Sequence, residues 1–233
     1  MPADSLTVAR DGDVAWLTLH RGERNLLDAE LTRALADAVA ELDTQGVTAM
    51  VLTGAGAVFC AGADASKLRA TGTAREFADA AIDLFCNLAE AQAPVIAAVN
   101  GDALAGGFGI ACAADIVIAV DGAALGTVEA ALGTWPMIAQ VPASRRVPPK
   151  AAIRNALTGV PFTTAEAKDL GVIDEILSDA GALRVRAAEV AREVTVGGAA
   201  ARRGKPMLVG LYMRQYRADL SGAADAFVDM FGG

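Results

Sequence analysis

The glycine-rich stretch Gly101–Gly107 constrains the fold of this chain more than any other segment. An apolar run over 94–99 predicts a buried strand, and it ends abruptly at Asn100. Residues that favour a helix follow at 111–114. The glycines therefore lie where a strand turns into a helix, and the backbone N–H groups at a helix start have no partner inside the helix. Such a turn can bind a phosphate or hold an oxyanion, and both remain open at this point.

Length and composition predict one large domain or a domain with an appendage. The 233 residues are 54% hydrophobic with a mean hydropathy of +0.38, which is enough to bury a sizeable core. No apolar run reaches the length of a membrane span, and the first residues do not resemble a signal peptide. The three cysteines show no C-x-x-C spacing, so neither a disulfide framework nor a metal site is predicted. We expect a cytoplasmic protein without a membrane partner.

The formal net charge of −8 argues against nucleic acid as a partner, because a polyanion is repelled by a strongly acidic surface. A ligand that carries a few phosphates remains compatible with this charge. A small number of local lysines or arginines is sufficient to hold such a ligand.

Alternating strand-like and helix-like segments indicate an α/β core, and the chain becomes mostly helical beyond Gly126. The predicted strands are 6–10, 13–20, 48–53, 94–99, 115–120 and 172–177. Asp28 is the predicted N-cap of the first helix. The predicted helices are 29–42, 74–90, 150–157, 164–170, 182–194, 206–217 and 222–231, with a break at Gly197-Gly198.

Neither glycine-rich segment fits a nucleotide-binding fingerprint. The run Gly54–Phe59 begins like a dinucleotide-binding turn, but its third glycine is replaced by a phenylalanine. Gly101–Gly107 lacks the Lys-Ser/Thr that ends a phosphate loop. Instead, Ala61-Gly62-Ala63 and Ala105-Gly106-Gly107 both place small residues at a sharp turn after a strand. Two N–H groups from two such turns can converge on one carbonyl oxygen, which is the make-up of an oxyanion hole.

Six motifs, in order and spacing, resemble the crotonase (enoyl-CoA hydratase/isomerase) superfamily. The motifs are Arg21-Gly-Glu-Arg-Asn-Leu-Leu27, Phe59-Cys-Ala-Gly-Ala-Asp64, Pro94-Val-Ile-Ala-Ala-Val-Asn-Gly101, Ala103-Leu-Ala-Gly-Gly107, Ala114-Asp-Ile116 and Leu157-Thr-Gly-Val-Pro-Phe162. Each motif alone is weak, but the full series over about residues 6–178 is specific.

The resemblance implies an α/β fold built as a spiral of strand–strand–helix turns with a C-terminal helical region. The crotonase-like core is expected over residues 1–178 and the helical region over residues 179–233. The resemblance also implies a homotrimer or a dimer of trimers. The expected ligand is an acyl-CoA thioester, and no separate cofactor is expected because coenzyme A is part of the substrate.

Three catalytic positions follow from the resemblance. The N–H groups of Ala63 and Gly106 fall where the family binds the thioester oxygen. Typical hydratases of the family carry two glutamates, of which Glu129 matches one, whereas Gly109 occupies the position of the other. Hydration needs one group to activate water and another to protonate carbon, but moving a double bond needs a single base. One glutamate therefore favours isomerisation of a 3-enoyl-CoA to a 2-enoyl-CoA, with Asp64 and Asp102 as the alternative candidates for a second acid.

Six further residues are predicted to contact the substrate: Arg24, Leu26, Ala61, Asp64, Lys67 and Trp135. The two cations are candidates for the phosphates of coenzyme A, although solvated surface charges are nearly as common. The tryptophan is a candidate for the acyl pocket, with plain core packing as the alternative. Two alternatives to the isomerase also remain: a hydratase that uses one glutamate, and a non-catalytic acyl-CoA-binding protein.

Overall fold

Nine strands and ten α-helices form within residues 5–231, the part of the chain that the computed structural model describes. The strands are β1 (Leu6–Asp11), β2 (Val14–Leu19), β3 (Ala49–Gly54), β4 (Val58–Cys60), β5 (Val95–Val99), β6 (Asp102–Leu104), β7 (Ile116–Val120), β8 (Leu125–Gly126) and β9 (Glu175–Leu177). The helices are α1 (Ala29–Thr44), α2 (Ala65–Thr71), α3 (Ala74–Glu90), α4 (Gly106–Ala113), α5 (Gln140–Arg146), α6 (Pro149–Thr158), α7 (Thr164–Asp169), α8 (Ala180–Glu193), α9 (Gly198–Tyr212) and α10 (Tyr216–Asp229). A short 3-10 helix spans Glu129–Leu132.

The larger sheet has six strands in the order β1-β2-β3-β5-β7-β9. Within residues 5–231, its one antiparallel pair is the hairpin of β1 and β2, in which Asp11 pairs with Val14 across a turn that contains Gly12. The remaining neighbours are parallel, so helices must cross over the sheet between them. This arrangement confirms the predicted α/β fold.

Apolar residues cover both faces of the central strands, which explains why the run over 94–99 is continuous rather than alternating. Val95, Ala97 and Val99 point into the main core with α1 and α3. Ile96 and Ala98 point to the opposite face, where Leu183 and other residues of α8 cover them. The buried strand predicted from the sequence is therefore confirmed.

The smaller sheet contains β4, β6 and β8, which are all parallel. Each of these short strands follows a strand of the larger sheet along the chain: β3 precedes β4, β5 precedes β6, and β7 precedes β8. The chain thus winds through both sheets in successive turns before it enters a helix. This winding is the spiral of strand–strand–helix turns that the family resemblance implies.

The C-terminal helices lie against the core. Helix α10 packs on α3, where the rings of Phe227 and Phe77 are 5.4 Å apart. The predicted bounds 206–217 and 222–231 are wrong, since α9 begins at Gly198 and α10 at Tyr216. A proline is typical of a helix start, but the preceding alanines, arginines and lysine already favour the helix, and Pro206 lies inside it.

None of the helices described between residues 5 and 231 is long and apolar enough to cross a membrane. Within the same residues, no group of three or more His, Cys, Asp or Glu side chains is arranged to hold a metal ion.

Candidate active site

Three turns at one edge of the smaller sheet form the candidate active site. Because β4, β6 and β8 are parallel, the segments that follow them leave the sheet at the same edge. These segments are Ala61–Ala63 after β4, Ala105–Gly107 after β6, and Thr127–Glu129 after β8. The topology thus brings together residues that are far apart along the chain.

The first two turns lie so close together that no side chain fits at Gly62. A Cβ atom on Gly62 would lie 2.5 Å from the Cβ of Ala105 and 3.1 Å from the backbone nitrogen of Gly106. Gly62 also has a φ of 91°, in the region that favours glycine. Glycine at position 62 is therefore a steric requirement of the contact between the turns.

Two backbone N–H groups at this contact are free within residues 5–231. Neither the N–H of Ala63 nor that of Gly106 donates a hydrogen bond to another group of the described chain. Gly106 is the first residue of α4, where helix geometry leaves the N–H without a partner. Two unused donors on adjoining turns are able to bind one oxyanion.

The segment Arg24–Leu27, which we call the strap, runs beside the first turn and fixes it. Leu27 donates to the carbonyl of Gly62 at 2.8 Å, and its own carbonyl accepts from Asp64 at 2.7 Å. Buried Asn25 has a φ of 48°, and its Nδ2 donates to the carbonyl oxygens of Ala55 and Val58 at 3.0 and 2.8 Å. The strap therefore holds the turn that carries Ala63 in place.

A cluster of oppositely charged side chains connects the strap to α2. Arg21 donates to the carbonyl of Leu26 at 2.8 Å and lies 3.1 Å from Asp64 and 3.2 Å from Asp28. Lys67 also pairs with Asp28, which caps α1 as the sequence predicts. None of the predicted roles included Arg21 or Asn25, although both lie in the first family motif.

Ion pairing and backbone hydrogen bonds keep the two aspartates of this cluster ionised. The pKa of Asp64 is lowered chiefly because its carboxylate accepts from the N–H of Lys67, as the N-cap of α2. Burial alone would raise the pKa of Asp28, but its hydrogen bond from Lys67, a backbone N–H and the charge of Arg21 hold that pKa below its usual value. These carboxylates are structural anions rather than proton donors.

Glu129 begins the 3-10 helix after β8, and α6 supports the turn that carries it. Buried Asn155 of α6 accepts from the N–H and the hydroxyl of Thr127 and donates to the carbonyl of Thr127 and to that of Val160. A Cβ on Gly159 would lie 2.5 Å from the nitrogen of Ala131, so the chain after α6 also packs closely on this turn. No motif in the sequence points to Asn155.

The environment of Glu129 differs from that of the two aspartates. Burial raises the pKa of its carboxyl group, and hydrogen bonds from the backbone N–H groups of Glu129 itself and of Val128 (2.8 Å to Oε2) only partly offset this effect. No lysine or arginine of residues 5–231 forms an ion pair with it. A carboxylate with a raised pKa is a stronger base than an ordinary glutamate and is suited to proton transfer.

One cavity of about 720 Å³ joins these parts. Its wall contains eight of the nine predicted site residues: Arg24, Leu26, Ala61, Ala63, Asp64, Gly106, Glu129 and Trp135. Lys67 is the exception, since it does not line the cavity and its ammonium group pairs with Asp28. A cavity of this size with few convergent polar groups is typical of a small-molecule site.

The remaining wall is largely apolar and includes Phe77, Phe85, Phe227 and Phe231. The ring of Phe231 lies 4.8 Å from that of Phe227. The guanidinium of Arg69, which also lines the cavity, lies 4.8 Å from the centre of the Phe231 ring. An apolar acyl group would be buried favourably against such a wall.

The profile of the Enoyl-CoA hydratase/isomerase family matches residues 9–232. The chain is 34% identical over 218 residues to enoyl-CoA hydratase EchA19 of Mycobacterium tuberculosis, with 90% of this chain and 79% of that protein covered. It is 38% identical over 190 residues to a putative enoyl-CoA hydratase of Thermus thermophilus, with 78% and 75% covered.

Solved structures share this fold. The fold matches that of Pseudomonas aeruginosa DspI with a TM-score of 0.85 and 29% identity, covering 100% of this chain and 91% of that chain. It matches the fold of an enoyl-CoA hydratase/isomerase from Mycobacterium paratuberculosis with a TM-score of 0.89 and 24% identity, covering 98% and 94%. The chain therefore belongs to the enoyl-CoA hydratase/isomerase family, which acts on acyl-CoA thioesters.

Proposed function

We propose that this protein moves the double bond of an enoyl-CoA from the 3,4 to the 2,3 position. The observation that carries the proposal is the arrangement of a single base and two free N–H groups around one cavity. Glu129, Ala63 and Gly106 all line it, and Gly109 supplies no second carboxylate. The other cavity carboxylate, Asp64, caps a helix and pairs with a cation.

The proposed reaction passes through an enolate. The carboxylate of Glu129 removes a proton from C2, and the electrons move onto the thioester oxygen, which the N–H groups of Ala63 and Gly106 stabilise. The protonated carboxyl group then delivers the proton to C4 as the carbonyl and the 2,3 double bond form. Every atom is retained and the base is regenerated, so the reaction needs no cofactor beyond the coenzyme A of the substrate.

The rest of the wall is assigned to binding. In this proposal Arg24, Leu26, Ala61 and Asp64 contact the coenzyme A half of the ligand or the thioester, and Trp135 contacts the acyl group. Lys67 would reach the coenzyme only if its ion pair with Asp28 opened, so its role stays a prediction. The family resemblance supports a cytoplasmic homotrimer or dimer of trimers, which light scattering after size-exclusion chromatography measures.

Hydration is the second candidate, favoured by relatives that are named as hydratases. Incubation with 2-enoyl-CoA and 3-enoyl-CoA thioesters, followed by mass spectrometry and ultraviolet absorbance, separates the candidates because only hydration adds the mass of water. We expect a 3-enoyl-CoA to become a 2-enoyl-CoA without a change in mass. A hydrated product alone would replace the isomerase with the hydratase, and binding without turnover would indicate a non-catalytic protein.

Substitution of the base tests the mechanism. We expect Glu129→Gln to lower turnover by about 10²–10⁴-fold, the usual contribution of a positioned acid or base. Glu76→Gln is the matched control, because Glu76 is an exposed glutamate on α3 outside the cavity wall. Full activity of the Glu129→Gln variant would refute the assignment.

A further inference from the structure

The space beside Gly109 is already occupied. A Cβ atom at this position would lie 2.9 Å from Cζ and 3.2 Å from Cε1 of Phe85, and 3.4 Å from Cγ of Pro142. Real Cβ atoms essentially never lie within 3.0 Å of another heavy atom, so even a methyl group at residue 109 requires the ring of Phe85 to move. The site therefore lacks more than a carboxylate at position 109. An aromatic ring also fills the volume where a side chain at this position would lie.

The ring of Phe85 has little room to move. Phe85 lies on α3 and is 3% exposed within the main core, while part of its surface lines the cavity that contains Glu129. Its helix packs against α1, α4 and α10. Close packing resists an added side chain, because its neighbours must leave their preferred rotamers or the backbone must shift.

We propose that Phe85 determines which reaction this site performs, by filling and keeping dry the part of the cavity where a second carboxylate and its water would lie. The inference rests on the proposed isomerase function and deepens it. A phenyl ring neither donates nor accepts a conventional hydrogen bond, so it cannot hold or activate a water molecule. The dienolate is then protonated at C4 by the carboxyl of Glu129, and no activated water is present to add to C3 of the resulting 2-enoyl-CoA.

A double-mutant cycle tests whether Phe85 and residue 109 share this space. We expect Gly109→Glu alone to lower the unfolding midpoint, and Phe85→Ala to recover most of that loss in the double variant. Phe77→Ala is the matched control, because Phe77 lies on the same helix and lines the same cavity but is not among the atoms nearest Gly109. Additive effects of Phe85→Ala and Gly109→Glu would overturn the inference.

Product ratios test the consequence for the reaction. With 2-enoyl-CoA and 3-enoyl-CoA substrates, we expect the double variant Phe85→Ala/Gly109→Glu to raise the ratio of hydrated to isomerised product by about tenfold or more. We expect Glu76→Gln/Gly109→Glu, with the first change at an exposed residue outside the cavity wall, to give the same ratio as Gly109→Glu alone. An unchanged ratio in the first double variant, with acyl-CoA binding shown by calorimetry, would overturn the role of Phe85.

The two proposals fail in different ways. Absence of isomerisation by the unsubstituted protein would refute the proposed function. A coupled unfolding cycle and a gain of hydration in the double variant would still support the role of Phe85. If the double variant does not fold, Phe85→Leu provides the test, because a smaller apolar side chain opens part of the same space. In that variant, the inference requires a larger hydrated fraction than in the unsubstituted protein, and an unchanged fraction would overturn it.

Discussion

Asn155 makes three hydrogen bonds with Thr127, two residues before Glu129 in the chain. Its Oδ1 accepts from the N–H and the hydroxyl of Thr127 at 2.9 and 2.7 Å, and its Nδ2 donates to the carbonyl of Thr127 at 3.0 Å. A fourth bond joins Nδ2 to the carbonyl of Val160 at 2.8 Å. All four hydrogen-bonding positions of this buried amide are thus used, and three of them fix the turn that carries the proposed base.

Removal of the Asn155 amide is expected to weaken both the fold and the reaction. Asn155→Ala leaves buried groups of Thr127 without partners, which costs about 1–3 kcal/mol of stability. Denaturant unfolding measures this loss. Because the change loosens the turn rather than the binding residues, we expect kcat to fall more than KM rises, and an unchanged kcat would contradict this positioning role.

The turns and their spacing can be anticipated from the sequence, because glycine and alanine at the ends of buried strands indicate sharp turns and close backbone contacts. Ala63, Gly106 and Glu129 are all predicted site residues, and the structure places them around one cavity. The supporting residues are harder to find. Asn155 acts through a hydrogen-bond geometry that leaves no local pattern, and Phe85 looks like any apolar residue on the buried face of a helix.

The short strands of the smaller sheet are the main elements that the sequence does not predict. The strands β4, β6 and β8 contain three, three and two residues, which is too few for a periodic pattern. Yet these strands determine where the site lies. Pro206 shows the converse problem, since a strong local signal for a helix start is overridden by the helix-favouring residues before it.

The raised pKa of Glu129 predicts a pH dependence of activity. Burial shifts the pKa of this carboxyl above its usual value, and the base has to be ionised to remove a proton. We expect kcat/KM to rise with pH through that raised pKa, at higher pH than an ordinary glutamate would give. A pH–rate profile without an acid limb, or with one at the usual glutamate pKa, would argue against Glu129 as the base.

The same raised pKa predicts an effect on stability. In the window between the usual glutamate pKa and the raised one, the folded state binds more protons than the unfolded state, so stability falls as pH rises. We expect Glu129→Gln to remove this loss and to be more stable than the unsubstituted protein above the window. Denaturant midpoints measured at acidic and neutral pH check the sign, with Glu76→Gln as the control.

The hydrogen bonds of Asn25 in the strap lead us to expect a separate effect on binding. Asn25→Ala removes the donors to the carbonyls of Ala55 and Val58 and leaves an alanine at a φ of 48°. We expect a loss of about 1–3 kcal/mol in stability, because buried carbonyls lose their partners. We also expect a higher KM, since the strap lines the cavity through Leu26 and Leu27. Calorimetry with a saturated acyl-CoA measures the affinity without turnover, and an unchanged affinity would contradict this role.

Substitution of Gly62 tests the proposed oxyanion hole most directly. In Gly62→Ala the new Cβ meets the Cβ of Ala105 at 2.5 Å and must push the two turns apart. Gly72→Ala is the matched control, because Gly72 also has a positive φ of 67° but a methyl group there would have no atom within 4 Å. The control therefore carries the backbone strain without the collision.

We expect both variants to lose about 1 kcal/mol or more of stability from a non-glycine residue at positive φ. Only Gly62→Ala should also lose about 10²-fold or more in kcat, since separated turns no longer present both N–H groups to one oxygen. Thermal unfolding and steady-state kinetics on a 3-enoyl-CoA separate the two effects. Equal kcat values for the two variants would mean that the contact between the turns does not set the geometry of the reaction, and the oxyanion assignment of Ala63 and Gly106 would fail with it.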